Sequence, residues 1–152
     1  MSSEFDRDLG VARKDCDRDR RALLNVVGTL RDPDLDRARR GGWTVQRVLE
    51  HVIQSEWQYV SLVHHLRGQQ SAETPMEAGP PASVADSSRD LKVSRQALLA
   101  AIEGVDEGTF YELRGIGHEE FSVLSLLENA ALHDREHAAQ VASIVGLVDT
   151  AR

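Results

Sequence analysis

A chain of 152 residues is long enough for one domain with a buried core, and 41% hydrophobic residues interleaved with 28% charged residues of both signs exclude a disordered chain. The net charge of -7 and pI near 5.3 argue against a nucleic-acid partner, whose phosphates an acidic surface repels. The lone Cys16 excludes an intrachain disulfide framework, no apolar run of ~18 residues is present to span a membrane, and "MSSEFDRDLG" has acids where a secretory signal has bases, so a cytoplasmic protein is expected.

The first predicted helix runs from about Phe5 to Leu30, with Leu9, Ala12, Cys16, Leu23, Val26, Val27 and Leu30 at helical spacing. Within it "DRDRR" (17–21), like "DRARR" (36–40) beyond it, alternates base with acid, which predicts a solvated surface. Cys16 reads as incidental among charged neighbours. Pro33 and Gly41-Gly42 break this segment. The second helix opens in "WTVQRVLEHVIQSEWQYVSLVHHLRG", where Thr44 is a good N-cap and Trp43 is placed to pack on Val48 as a hydrophobic staple. Arg47 stands where a capping box needs Glu or Gln, and Gly68 is the expected stop. "QQSAETPMEAGPPAS" (69–83) is a loop or crossover, longer than antiparallel neighbours need, and is expected to cross the bundle or overhang one end. The third helix spans about Ser83 to Glu103, with Leu91, Leu98, Leu99 and Ile102 as core candidates. "GVDEGTFYELRGIGHEEF" (104–121) reads as irregular, and no strand ladder is expected. Ser122 caps a fourth helix that continues to about Val148. Four helices with a long connection predict an all-α four-helix bundle, one domain over 1–152.

At ~100° per residue, the fourth helix gathers Val123, Leu126, Leu127, Ala130, Val141, Ile144, Val145 and Val148 on one arc. His133, Asp134 and His137 of "HDREH" fall within or at the edge of that arc, whereas Arg135 and Glu136 fall outside. On the second helix, Glu56 sits near the middle of the apolar arc and His51 just past its margin. Three histidines and a carboxylate therefore face the interior, or a cleft at its edge.

Two readings stand: hydrogen-bonded core histidines, or metal ligands. A histidine pair at i, i+4 on an apolar face repels when both rings are protonated and needs partners when both are neutral. A divalent cation resolves both difficulties. The zinc-protease helix is excluded, because Asp134 is one methylene shorter than the Glu which that motif uses as general base. The His-Asp doublet also resembles HD-domain phosphohydrolases, but their preceding ligand histidine is near in sequence and His51 lies two helices upstream. His64 and His65 read as surface residues and His118 as an exposed loop residue. Glu56 and Asp134 could orient a ligand imidazole or move a proton. Equally, they could pair with an arginine from the first helix or the 31–40 stretch, and the residues alone leave this open.

"GGWTVQRVLEHVIQSE" (41–56) and "SVLSLLENAALHDREHAAQVASI" (122–144) resemble the DinB/YfiT-like metalloenzyme family of small bacterial four-helix bundles. Its pattern is a Trp and a Ser/Thr cap opening the second helix, a histidine two turns in, and an H-x-x-x-H pair in the last helix. Here these are Trp43, Thr44, His51, His133 and His137, with Glu56 at a position that is often acidic. The resemblance covers the chain in outline and is thin in the first and third helices. It implies a divalent metal, zinc or nickel, held by His51, His133 and His137, with positions left open as in catalytic sites. It also implies a small-molecule substrate, a long crossover connection and frequent pairing into homodimers.

Relatives include thiol-dependent S-transferases and a mycothiol-dependent maleylpyruvate isomerase. The implied activity is transfer of a low-molecular-weight thiol, activated by the metal well below its free pKa of ~8.5, onto an electrophile. The alternatives are metal-dependent hydrolysis, and a non-catalytic metal-binding bundle of the stress response.

Overall fold

The computed structural model describes residues 3–69 and 79–147. Four long helices dominate: α1 (Glu4–Gly28), α2 (Val45–Leu66), α3 (Val84–Ala101) and, last in the chain, α5 (Val123–Val145). A 3-10 turn (Asp32–Asp36) follows α1. Before α5 come the short α4 (Glu107–Tyr111) and a hairpin of β1 (Arg114–Ile116) and β2 (Glu119–Phe121). Each long helix starts on a hydroxyl cap: Ser3, Thr44, Ser83 and Ser122 each accept the backbone N–H of the third residue beyond. Gly68 ends α2 in the left-handed region (φ 68), where its own N–H and that of Gln69 return to the carbonyls of His65 and His64. The last helix ends at Val145, and Val148 lies outside the described residues. Among the described residues no helix is long and apolar enough to cross a membrane.

The hairpin corrects the expectation of no strands. Strands of three residues are too short for an alternating pattern to register, and their turn at Gly117 (φ 66) was legible only as one glycine among four.

Side-chain contacts fix the helix directions. Cys16 meets the Leu127 carbonyl and Arg20 meets Asp134, so α1 and α5 run parallel. Gln46 reaches the Pro81 carbonyl and Arg67 reaches the Ala101 carbonyl, so α2 and α3 are parallel too. Arg20 reaches the Leu91 carbonyl while Arg95 reaches that of Cys16, which makes α1 and α3 antiparallel. Round the bundle the order is α1, α5, α2, α3. Residues 69–83 therefore join parallel neighbours whose facing ends lie at opposite ends of the bundle, which is why this connection is long. The expectation that it crosses the bundle or overhangs one end falls on residues 70–78, which lie outside the described residues; the diagonal crossings among the described residues are 29–44 and 102–122.

The core lies in two parts. Leu23, Val27, Val45, Leu49, Leu91 and Val141 pack in one half, and Val60, Leu98, Ile102, Phe110, Leu126 and Leu127 in the other. Between them runs a layer of charge drawn from all four long helices. Arg20 of α1 makes a two-pronged bond to Asp134 of α5, with Nε to Oδ2 at 2.8 Å and Nη2 to Oδ1 at 2.9 Å. Its Nη1 lies 3.0 Å from Oε1 of Glu56 in α2. Arg95 of α3 donates to Glu56 Oε2 at 2.9 Å and to Asp134 Oδ2 at 2.8 Å, and the Ser94 hydroxyl donates to Glu56 Oε1 at 2.6 Å. Two cations and two anions balance, and among the described residues no buried side-chain N or O atom lacks a partner.

The layer also corrects the reading of "DRDRR" as solvated, since Asp19 and Arg20 are each only 4% exposed. Arg20 falls on the α1 stripe of Ala12, Cys16, Leu23 and Val27, and its paired partners satisfy it there. "DRARR" (36–40) is exposed as expected.

Removing one partner from this layer strands a buried charge. Glu56→Ala is expected to lower unfolding free energy by about 3–5 kcal/mol, whereas Arg21→Ala, which breaks an exposed pair with Asp17, leaves the urea midpoint nearly unchanged. Equal midpoints for the two variants would contradict a structural role for the layer.

Candidate metal centre

Thr44 starts α2 and Ser122 starts α5, and these antiparallel neighbours bring His51 beside His133 and His137. His133 Nε2 lies 3.0 Å from His51 Nε2 and 2.9 Å from His137 Nε2, and one ligand atom from each ring lies within 4.8 Å of the others. Tetrahedral coordination with metal–nitrogen bonds of about 2.0–2.1 Å sets nitrogens roughly 3.3 Å apart. The two separations at His133 are close to that spacing.

The donor set itself fits a cation. Gln140 Oε1 lies 2.7 Å from His137 Nδ1 and accepts its proton, which leaves the lone pair of the neutral ring on Nε2. His133 Nε2 faces two other Nε2 atoms but can donate one hydrogen bond or accept one, so protons alone leave one of its two contacts unmatched. A cation where the three lone pairs meet removes the mismatch.

Burial comes first in pushing the His133 pKa down to about 4, followed by the neighbouring His137 and His51. His51 is lowered as well, by burial and then by His137. Both rings are neutral at pH 7, the form that ligates a metal.

The histidines sit at the edge of the core. His51, His133 and His137 are all half-buried, and the α5 residue that points into the interior is Asp134, 1% exposed. Of the two expected orientations, interior or edge cleft, the structure has the edge. The buried face of α5 serves α1 as well as α2, so it is centred on Asp134 and leaves the histidines on its α2 margin.

Asp134 and Glu56 make their contacts in the charged layer. Their arginines come from the first helix, as one reading allowed, and from α3, which neither reading considered; none comes from the 31–40 stretch. Trp43 lies edge-on to His51 with ring centroids 5.2 Å apart, and the Arg47 guanidinium stands 4.7 Å over the indole. Tyr59 approaches His133 at 6.4 Å between centroids, its pKa raised by burial and then by Asp134 and Glu56. His64 is half-exposed, and His65 and His118 are exposed. Cys16 is buried, and its thiol is pushed up to about 11 chiefly by that burial, which removes it as a nucleophile. Gln140, missed in the sequence reading, was recoverable from its i+3 spacing to His137.

A sequence model of the DinB superfamily matches residues 16–141. The fold is similar to the crystal structure of a DinB-like protein from Bacillus cereus, with a TM-score of 0.66, 14% identity and 85% of each chain covered. No curated protein matches the chain.

Because the folded, metal-free protein holds His133 neutral down to about pH 4, while an unfolded histidine takes up its proton near ~6.5, the unfolded state binds more protons between these values. This histidine's contribution to stability is therefore full above about pH 6.5 and is lost as the pH falls toward 4. An NMR titration of the metal-free protein is expected to place the His133 midpoint near 4; a midpoint at the ordinary histidine value would contradict the packing described.

Proposed function

The chain belongs to the DinB superfamily, and on that premise we propose that His51, His133 and His137 hold a divalent metal, zinc or nickel, at which a low-molecular-weight thiol is transferred to an electrophile. The observation that carries this reading is the convergence of three imidazole Nε2 atoms at a half-buried rim. No carboxylate or thiol completes that cluster among the described residues. Three ligands with the outward side open is the arrangement of a catalytic site and not of a closed structural one. When bound, the metal supplies a Lewis acid that stabilises a coordinated thiolate at neutral pH.

The chain's own residues supply position. Gln140 fixes the tautomer and ring plane of His137. The two-pronged Arg20–Asp134 bond fixes the turn of α5 that carries His133. Trp43 walls one side against His51, and Arg47 above it places a positive charge beside the rim. With Cys16 buried against the Leu127 carbonyl, the nucleophile has to arrive with the cosubstrate, which favours thiol transfer over an enzyme-bound intermediate.

Protein purified without a histidine tag is expected to bind close to one zinc or nickel per chain. His51→Ala and His133→Ala should abolish that binding, and Gln140→Leu should weaken it by about 10-fold or more; unchanged affinity in His133→Ala would place the metal elsewhere. With metal loaded, a chloro- or bromo-electrophile should turn over with at least one member of a panel of low-molecular-weight thiols. Turnover indifferent to thiol, or absent across the panel, would contradict the transferase assignment.

A further inference from the structure

The opposite face of the bundle, between α1 and α3, holds a cavity of about 200 Å³ that the thiol-transfer reading does not use. Its lining includes Arg13, Arg20, Arg21, Lys92 and Arg95, with Asp17 as the one carboxylate. Glu56 and Asp134 balance Arg20 and Arg95, so the net positive charge comes from Arg13, Arg21 and Lys92 against Asp17, on a chain with 25 acidic and 18 basic residues. At the rim, Lys92 has no hydrogen-bond or ion-pair partner among the described residues. Arg13 has only a long 3.9 Å pair with Glu103, and Arg21 an exposed pair with Asp17. Such exposed pairs neutralise little.

The floor is more specific. Arg95 gives one N–H from each of its nitrogens, Nε to Glu56, Nη1 to the Cys16 carbonyl and Nη2 to Asp134. Each terminal nitrogen of a guanidinium carries a second N–H, and those of Arg95 have no protein acceptor among the described residues. Arg20 Nη2 likewise gives a single bond, to Asp134. Both guanidiniums are buried, at 4% and 6% exposure, and both line the cavity. Leu24 and Leu99 give it apolar walls.

We infer that this groove is a binding site for a small organic carboxylate with an apolar body. The carboxylate would accept the spare guanidinium N–H groups, whose planar geometry suits it. It would also relieve the repulsion among the rim cations, while an aromatic ring or short chain packs on Leu24 and Leu99. An inorganic anion would use the charge and leave the apolar walls wet. The site is separate from the histidine cluster, which lies on the α2–α5 face.

The test uses the full zinc-loaded chain, labelled with nitrogen-15 and titrated with benzoate, its neutral isostere benzamide, and inorganic phosphate. Benzoate is expected to bind saturably and shift the amides of residues 13–24 and 92–99, with benzamide and phosphate each weaker by about tenfold or more. Because Arg20 and Arg95 hold the fold together, the variants are on the exposed rim. Lys92→Glu combined with Arg21→Glu should keep the wild-type melting temperature and weaken benzoate by about tenfold or more. Lys92→Glu alone should weaken it in the same direction. Shifts confined to the surroundings of His51, His133 and His137 would overturn the inference, as would benzamide or phosphate binding as tightly as benzoate, or variants with wild-type affinity. Each readout is a binding measurement, so it stands whether or not thiol transfer is found.

Discussion

The layer of Arg20, Glu56, Arg95 and Asp134 is the constraint on which the rest of the bundle depends. Apolar packing is nearly isotropic, and a helix with Leu and Val on its buried face can rotate or slide with modest loss. A two-pronged guanidinium–carboxylate bond has one geometry. Arg20 and Arg95, from α1 and α3, each reach both Glu56 on α2 and Asp134 on α5, so all four long helices share one register and one rotation. The layer cuts the core in two, and it is a specifying element more than a net source of stability, because desolvation of four charges offsets most of their attraction.

That rotation places the histidines. Asp134 is gripped inward, so its neighbour His133 and the next-turn His137 are held on the α2 margin of α5. Glu56 is gripped inward on α2, which brings His51 to the same margin from the other side. Three imidazoles on two helices meet at their Nε2 atoms because their helices are locked by carboxylates that are not themselves at the cluster. The Gln140–His137 bond adds local control of the ring. A half-buried location serves the proposed chemistry: enough desolvation keeps His133 and His51 neutral, and the outward side stays open to a cosubstrate.

Much of this was legible in the amino-acid sequence, for local reasons. The helix starts could be read because Thr44 and Ser122 are caps whose bonds reach only three residues, and Gly68 marks a stop by its own backbone freedom. The i, i+4 spacing of His133 and His137 on a largely apolar stripe, with His51 at a margin, was enough to nominate the trio that the structure brings together. What escaped depends on partners distant in sequence. Arg20 alternates with aspartates as a solvated residue would, and only Asp134, far along the chain, explains its burial. A helical wheel for α5 left interior and edge both open for the histidines, and the choice of the edge follows from α5 packing on both α1 and α2. The parallel direction of α2 and α3 could not be read from the length of residues 69–83, because a long connection is compatible with several crossings.

Zinc X-ray absorption on the loaded chain, compared with the same measurement on His51→Ala, most directly addresses whether the three imidazoles form one metal centre with an open position. Three imidazoles and light oxygen scatterers at about 2.0–2.1 Å are predicted, with no sulfur because Cys16 is buried away from the rim, and with one imidazole fewer in the variant. A sulfur scatterer, or an imidazole shell unchanged by His51→Ala, would contradict the account.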